Sequence, residues 1–216
     1  MKINRSFEIR AISDDSRTIE GQAIVFNSYS RDLGGFVERI EPTAITEDEL
    51  ASYDIIANYN HDNNQMLARY NKGEGTLELE LREDGLYFRF ECPTTAFGDE
   101  ILYHVRHKDI YECSFAAIIS KDHIKRYKEG DTYIQVINKI DNILDVSLVN
   151  RAAYPDTSVS ARSEEEAKNE FEDIKNEVEQ AEIERKAAEE AENERKQEIL
   201  NSLDNKLSEF YKNISI

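Results

Sequence analysis

Apolar and polar residues alternate along much of the first 150 positions, and that period of two predicts strands. Ile3, Phe7, Ile9 and Ala11 alternate with polar neighbours. Past a Ser13-Asp14-Asp15-Ser16 turn, Thr18 to Phe26 forms a second run, so the two read as a β-hairpin. Asn27 to Gly35 is polar and Gly-rich, hence a loop. Phe36 to Ile40 is a short strand, stopped by Pro42. Thr46 followed three residues later by Glu49 is a capping box that starts a short helix. Asp54 to Tyr59 is a buried-type strand that runs into Asn60-His61-Asp62-Asn63-Asn64, and Met66 to Tyr70 is a further extended piece. Gly75 to Leu81 and Leu86 to Phe90 alternate on either side of Asp84-Gly85, which reads as a hairpin whose turn uses positive φ angles.

Pro93-Thr94-Thr95 opens a helix over roughly 96–107, with Ile101, Leu102 and Val105 on one face. Tyr111 to Ile119 is a strand with one small hydroxyl, Ser114, among large and apolar neighbours. Lys121 to Asp131 is a charged hairpin tip or flexible loop. Thr132 to Ile137 and Ile140 to Val149 are the last strands, and Arg151-Ala152-Ala153-Tyr154-Pro155 ends the series. From Ser163 the pattern changes: no Gly or Pro follows, and Phe171/Ile174/Val178 and Leu200/Leu203/Leu207/Phe210 recur at spacings of three and four. That spacing predicts one long amphipathic or coiled-coil helix, or two with a joint. Its middle, Glu184 to Glu198, offers only alanines as apolar residues, so no strong continuous zipper is expected. The expected organisation is a mainly β domain over 1–162 and an acidic helical tail over 163–216.

Charge sharpens this division. The 216 residues carry a formal net charge of −18. Residues 163–216 hold 8 basic and 17 acidic residues, so a quarter of the chain carries half of that charge. So acidic a protein is a poor ligand for nucleic acid, whose phosphates call for clustered Lys and Arg. Cys92 and Cys113, both within expected strands, are too few for a disulfide framework and fit a reducing interior. No run of about 18 apolar residues and no secretory leader core occur in the sequence. The expectation is a soluble cytoplasmic protein with no membrane partner.

Candidate chemistry is sparse. His104, His107 and His123 lack the carboxylate or cysteine spacing of a metal site, and a His-x-x-His pair alone leaves zinc with half its ligands, so neither metal nor cofactor is expected. His61 ends a buried-type strand among small polar residues. It is either a hydrogen-bonded strand-end histidine or a base. Ser114 is either a satisfied polar residue or a nucleophile, and a serine becomes nucleophilic only when a base, itself oriented by a third group, takes its proton. The Gly-x-Ser-x-Gly elbow is absent, so Ser114 would have to act from the body of a strand.

Several blocks, in order over about residues 5–162, resemble the prohead maturation serine proteases of tailed bacteriophages, which share a fold with herpesvirus assemblins. They are Gly21-Gln22-Ala23-Ile24-Val25-Phe26-Asn27; Ile40-Glu41-Pro42-Thr43-Ala44-Ile45, with Thr43 and Ile45 departing from the family's Gly and Phe; Asn60-His61-Asp62 with Leu67-Ala68-Arg69; Ser114-Phe115; and Asp145-Val146-Ser147-Leu148-Val149 with Ala153-Tyr154-Pro155. The resemblance implies an α+β, mainly β fold: an assemblin-like antiparallel barrel with a few short helices. It implies His61 as base and Ser114 as nucleophile. Assemblins orient their base with a second histidine beyond the serine strand. No histidine follows His123 here, and Asp145 matches the position, with Asp62, Glu112 and Asp141 as weaker competitors. Arg151 is the candidate for oxyanion support. The implied activity is a serine endopeptidase acting on itself, a scaffold protein and the N-terminal region of the major capsid protein, inside a procapsid in the bacterial cytoplasm. A catalytically silent assembly protein that keeps the fold and works through its helical tail is the competing reading.

Overall fold

The computed structural model describes residues 7–11, 16–30, 32–150 and 164–214. Twelve strands lie among them: β1 (Phe7–Ala11), β2 (Thr18–Val25), β3 (Phe36–Ile40), β4 (Asp54–Tyr59), β5 (Asp62–Asn71), β6 (Glu74–Gly75), β7 (Leu77–Arg82), β8 (Gly85–Glu91), β9 (Glu112–Ile118), β10 (Ile124–Glu129), β11 (Thr132–Ile137) and β12 (Asn142–Val149). Three helices accompany them: α1 (Glu47–Leu50), α2 (Ala96–Arg106) and α3 (Glu164–Ile214). The fold is therefore mainly β, of the α+β class.

Nine strands form one sheet in the order β6-β5-β4-β12-β9-β1-β2-β8-β7, and β10-β11-β3 form a second. The expected β1/β2 and β7/β8 hairpins are present as antiparallel pairs. Two pairings are parallel, β12 with β4 and β11 with β3, where an antiparallel barrel was expected. Among the described residues no pairing joins β6 to β7, so these ladders do not close a barrel. The core lies against one face of the large sheet. Ile55 and Ala57 of β4, Val146 and Leu148 of β12 and Cys113 of β9 point into it with Ile101, Leu102 and Val105 of α2. Each of these Ile, Leu and Val side chains taken from water contributes on the order of 1.5–3 kcal/mol.

Local chemistry sets the element ends. Thr46 Oγ1 accepts from the Glu49 N–H while Glu49 Oε2 accepts from the Thr46 N–H, and Thr95 Oγ1 accepts from the Gly98 N–H to open α2. In the β7/β8 hairpin the turn is displaced from expectation. Arg82 pairs with Gly85, so the two loop residues are Glu83 and Asp84, and the positive φ belongs to Gly85 alone, at 155°. The stretch expected as a charged tip or loop, Lys121 to Asp131, instead holds a 3-10 turn over Lys121–His123 and the strand β10, paired along its whole length with β11. Its Lys125, Arg126, Lys128 and Glu129 suit the edge of a sheet, where charges discourage further pairing.

The chain divides into two compact units, Met1–Glu172 and Asp173–Ile216. In the first, Phe171 sets its ring edge against Tyr133, with centroids 5.5 Å apart, and lies over Gly35. In the second, α3 leaves Ile183, Ile199, Leu200 and Leu203 exposed. Among the described residues no helix is long and apolar enough to cross a membrane.

Candidate active site

The site face is the side of the large sheet turned away from the core. Along β9 the odd positions, Cys113, Phe115 and Ala117, pack on the core, so Ser114 and Ala116 take the other side. Ser147 of β12 stands directly opposite Ser114 and is also aligned with Asn58 of β4. Asn58, Ser147 and Ser114 thus form one row across three adjacent strands, and all are buried, at 0%, 0% and 5% exposure.

Asp145 shares this face by ordinary alternation, two residues before Ser147 and opposite Ala116. Ile143 pairs with Ala117 and Asp145 with Ala116, which leaves Leu144 as an extra residue. The extra residue returns Ile143 to the core while Asp145 keeps its outward place, since a shift of one residue turns a strand's side chains over. With it, Leu144 and Asp145 both face outward between the core residues Ile143 and Val146, and Leu144 is 43% exposed.

His61 arrives from β4. Tyr59 pairs with Asp62, so Asn60 and His61 form a two-residue turn, and both have positive φ, 49° and 58°. Turns of this kind favour Asn followed by Gly. Here histidine occupies the glycine position, at a cost of order 1–2 kcal/mol for a left-handed backbone. The far end of β12 holds the turn in place. The Asn60 N–H donates to the Leu148 carbonyl at 2.9 Å, the His61 N–H to Ser147 Oγ at 2.8 Å, and the Asn150 N–H to Asn60 Oδ1 at 3.3 Å. In this pose His61 Nδ1 lies 2.7 Å from Asp145 Oδ1. An ionised carboxylate only accepts, so Nδ1 is the donor, and in a neutral ring Nε2 then has the lone pair.

The two facing serines differ. Ser147 Oγ accepts from His61 and donates to the Leu148 carbonyl at 3.3 Å, so it is committed. Ser114 Oγ is buried and, among the described residues, has no hydrogen-bond partner. The structure thus joins His61 to Asp145, and puts Ser114 on the strand next to that of Asp145, on the same face, without a direct bond to either. Sites of this type often tighten only around substrate. Cys113, beside Ser114, is no rival nucleophile: its thiol donates to the Gln22 carbonyl on the core side, and burial pushes its pKa far above the ordinary thiol range.

The remaining candidates fall elsewhere. The Asp62 carboxylate accepts from the backbone and side chain of Asn64. Asp141 accepts from the Ser120 N–H and lies 3.0 Å from His123 Nδ1, and these contacts lower its pKa, the Ser120 bond most of all. Glu112 lies two residues from Ser114, half-buried. His104 pairs with Asp109, and the His107 ring stacks on Tyr103. Arg151, the Ala153-Tyr154-Pro155 segment and the 162/163 boundary lie outside the described residues. Among the described residues no group of three His, Cys, Asp or Glu could hold a metal ion. Sequence reasoning passed over Ser147, Asn58 and the irregularity at Leu144. The last had a visible signal, because the core residues Ile143, Val146 and Leu148 break strict alternation by one.

A buried hydroxyl without a partner among the described residues, with one strand between it and the strand that leads to a histidine held by a carboxylate, is an arrangement suited to serine acyl transfer. The family model of the caudovirus prohead serine proteases matches residues 5–172, and the chain belongs to that family. It is thus, in general terms, a phage capsid-maturation protease of the serine type, whose setting is the assembling procapsid in the host cell. No curated relative and no solved structure gives a match.

Proposed function

We propose that the chain is a serine endopeptidase that cuts itself, the scaffold protein and the N-terminal region of the major capsid protein inside the procapsid, in the bacterial cytoplasm. In this reading Ser114 is the nucleophile, His61 the base and Asp145 the group that orients His61. His61 Nε2 takes the Ser114 proton as Oγ attacks the peptide carbonyl. The imidazolium, stabilised by Asp145, then gives that proton to the leaving amine. A water, deprotonated by the same nitrogen, hydrolyses the ester and frees Ser114. Arg151 and backbone N–H groups supply the oxyanion support. The observation that carries the reading is the His61–Asp145 hydrogen bond beside a buried, unpartnered Ser114 hydroxyl. Intact-mass analysis of purified wild type and Ser114→Ala tests it. Wild type is expected to shorten and the variant to keep its full mass; shortening of the variant at the wild-type rate rules the mechanism out.

A second reading, a silent assembly protein, draws on the tail, where Ile183, Ile199, Leu200 and Leu203 are exposed on a helix with no Gly or Pro. In the combined picture residues 1–162 cut, and residues 163–216 form a scaffold-like or coiled-coil segment that brings the protease into the shell. A chain ending at Arg162 is then packaged poorly, and packaging equal to the full chain removes the tail's role.

A further inference from the structure

We propose that Ser147 is a positioning residue for His61: its hydroxyl holds the histidine's main chain in the left-handed turn from which the ring meets Asp145. The inference rests on the reading of His61 as the base. The parallel ladder between β4 and β12 ends where Leu148 aligns with Tyr59. Past that point the Asn60 N–H still finds a main-chain carbonyl, that of Leu148. The next N–H, that of His61, has a side-chain oxygen instead, Ser147 Oγ at 2.8 Å. One hydroxyl thus extends the ladder by a rung into a turn whose φ of 58° a histidine does not favour.

The hydroxyl is well placed for this. Ser147 is fully buried, so water cannot replace the acceptor. Its proton goes to the Leu148 carbonyl, which leaves the oxygen's lone pairs for His61. It stands two residues from Asp145 on the same strand and face, so one stretch of β12 grips both the main chain and the ring of His61. It also stands opposite Ser114, so the strand that sets the base is the one against which the nucleophile strand is registered. Loss of the acceptor frees the turn to relax and moves the ring by a fraction of its bond length to Asp145, and misplacement on the scale of 1 Å costs about a hundredfold in rate.

The test uses the full chain as wild type, Ser147→Ala, the near-isosteric Ser147→Cys with its weak sulfur acceptor, and Ser147→Thr, which restores the oxygen. Two quantities are read: the rate at which a fluorophosphonate phosphonylates Ser114, with loss of fluoride, and the low-field proton resonance of His61 Nδ1–H bound to Asp145. The Ala variant is expected to be phosphonylated about a hundredfold more slowly and to lose or shift that resonance. The Cys variant should fall in between, and Thr should recover the resonance. A purely structural role would lower the melting temperature but leave the resonance of the folded protein in place. An unchanged resonance in both Ala and Cys variants overturns the proposal whatever the phosphonylation rates. If the wild type is inert to the reagent and the resonance still vanishes in the Ala variant, Ser147 holds His61 as proposed and it is the Ser114 assignment that fails.

Discussion

Asp145→Asn separates an orienting carboxylate from a merely structural one. The carboxylate is nearly buried, with its side chain 8% exposed, and lies 2.7 Å from His61 Nδ1. During acyl transfer His61 becomes a cation, with charge centres about 4 Å apart across that bond. At an effective dielectric constant near 20 such a pair is worth about 4 kcal/mol. An amide forfeits that term, a factor of about a thousand at 1.36 kcal/mol per tenfold. If its NH2 turns toward Nδ1, the ring proton moves to Nε2, the nitrogen that must accept from Ser114, and the loss approaches about ten-thousandfold. The internal control is Asp141→Asn. That carboxylate also faces a histidine, His123, at 3.0 Å, but its N–H is tied to Ile118, four residues and about 13 Å along β9 from Ser114. Fluorophosphonate labelling and cleavage of a peptide substrate are read at neutral pH, with folding checked by thermal melts. Asp145→Asn should lose at least three orders of magnitude, and Asp141→Asn should stay within twofold of wild type. A loss below tenfold for Asp145→Asn, or equal losses for both, would refute the assignment.

Three further outcomes follow from the fold. Gly85→Ala should lower stability by more than about 2 kcal/mol in urea unfolding, because its Cβ would sit 1.9 Å from the Ile24 carbonyl oxygen at a φ of 155°. Thr46→Ala removes the α1 cap and should cost about 1 kcal/mol, a drop of roughly 2–4 °C in melting temperature for a chain of this size. Burial pushes the Cys92 thiol up from 9.0 to about 11. The folded state keeps a proton that the unfolded chain gives up, so this contribution is complete below pH 9 and is lost as pH rises toward 11. Urea midpoints should fall across that window, and less so in Cys92→Ala; equal slopes in the two proteins would show that the thiol is not the cause.

How much of this was legible in the sequence depended on whether the code was local. The capping box at Thr46 and Glu49 is complete within four residues, and it forms as read. Strands β3, β4 and β11 begin and end where their apolar patterns do, at Phe36–Ile40, Asp54–Tyr59 and Thr132–Ile137. The β10 strand was hidden because Lys125, Arg126, Lys128 and Glu129 look like a solvated loop, although the same charges are what an edge strand uses. The two parallel ladders were hidden for another reason. Nothing near Asn58 announces a partner at Ser147, and nothing near Phe36 announces Tyr133, nearly a hundred residues on. Partners so distant are chosen by the packing of the whole domain.

The candidate site was the hardest part to read, because a local rule is broken at or beside each of its members. Turn chemistry asks for glycine at position 61, and the chain supplies a histidine with a φ of 58°. Strand periodicity asks for one residue between core positions, and beside Asp145 the chain supplies two, with Leu144 as the extra residue. Burial asks for a satisfied or apolar side chain at position 114, and the chain supplies a hydroxyl with no partner among the described residues. A sequence shaped for the fold alone would carry Gly at 61, no extra residue at 144 and Val at 114, and every one of those choices would be easier to predict. Departures of this kind are scattered and independent if they are accidents of drift. Here they converge on one face and three neighbouring strands, with two of the three joined by a 2.7 Å hydrogen bond. Local rules given up together in one place point to a common demand, and the proposed roles of base, orienting acid and nucleophile are ones that would meet it.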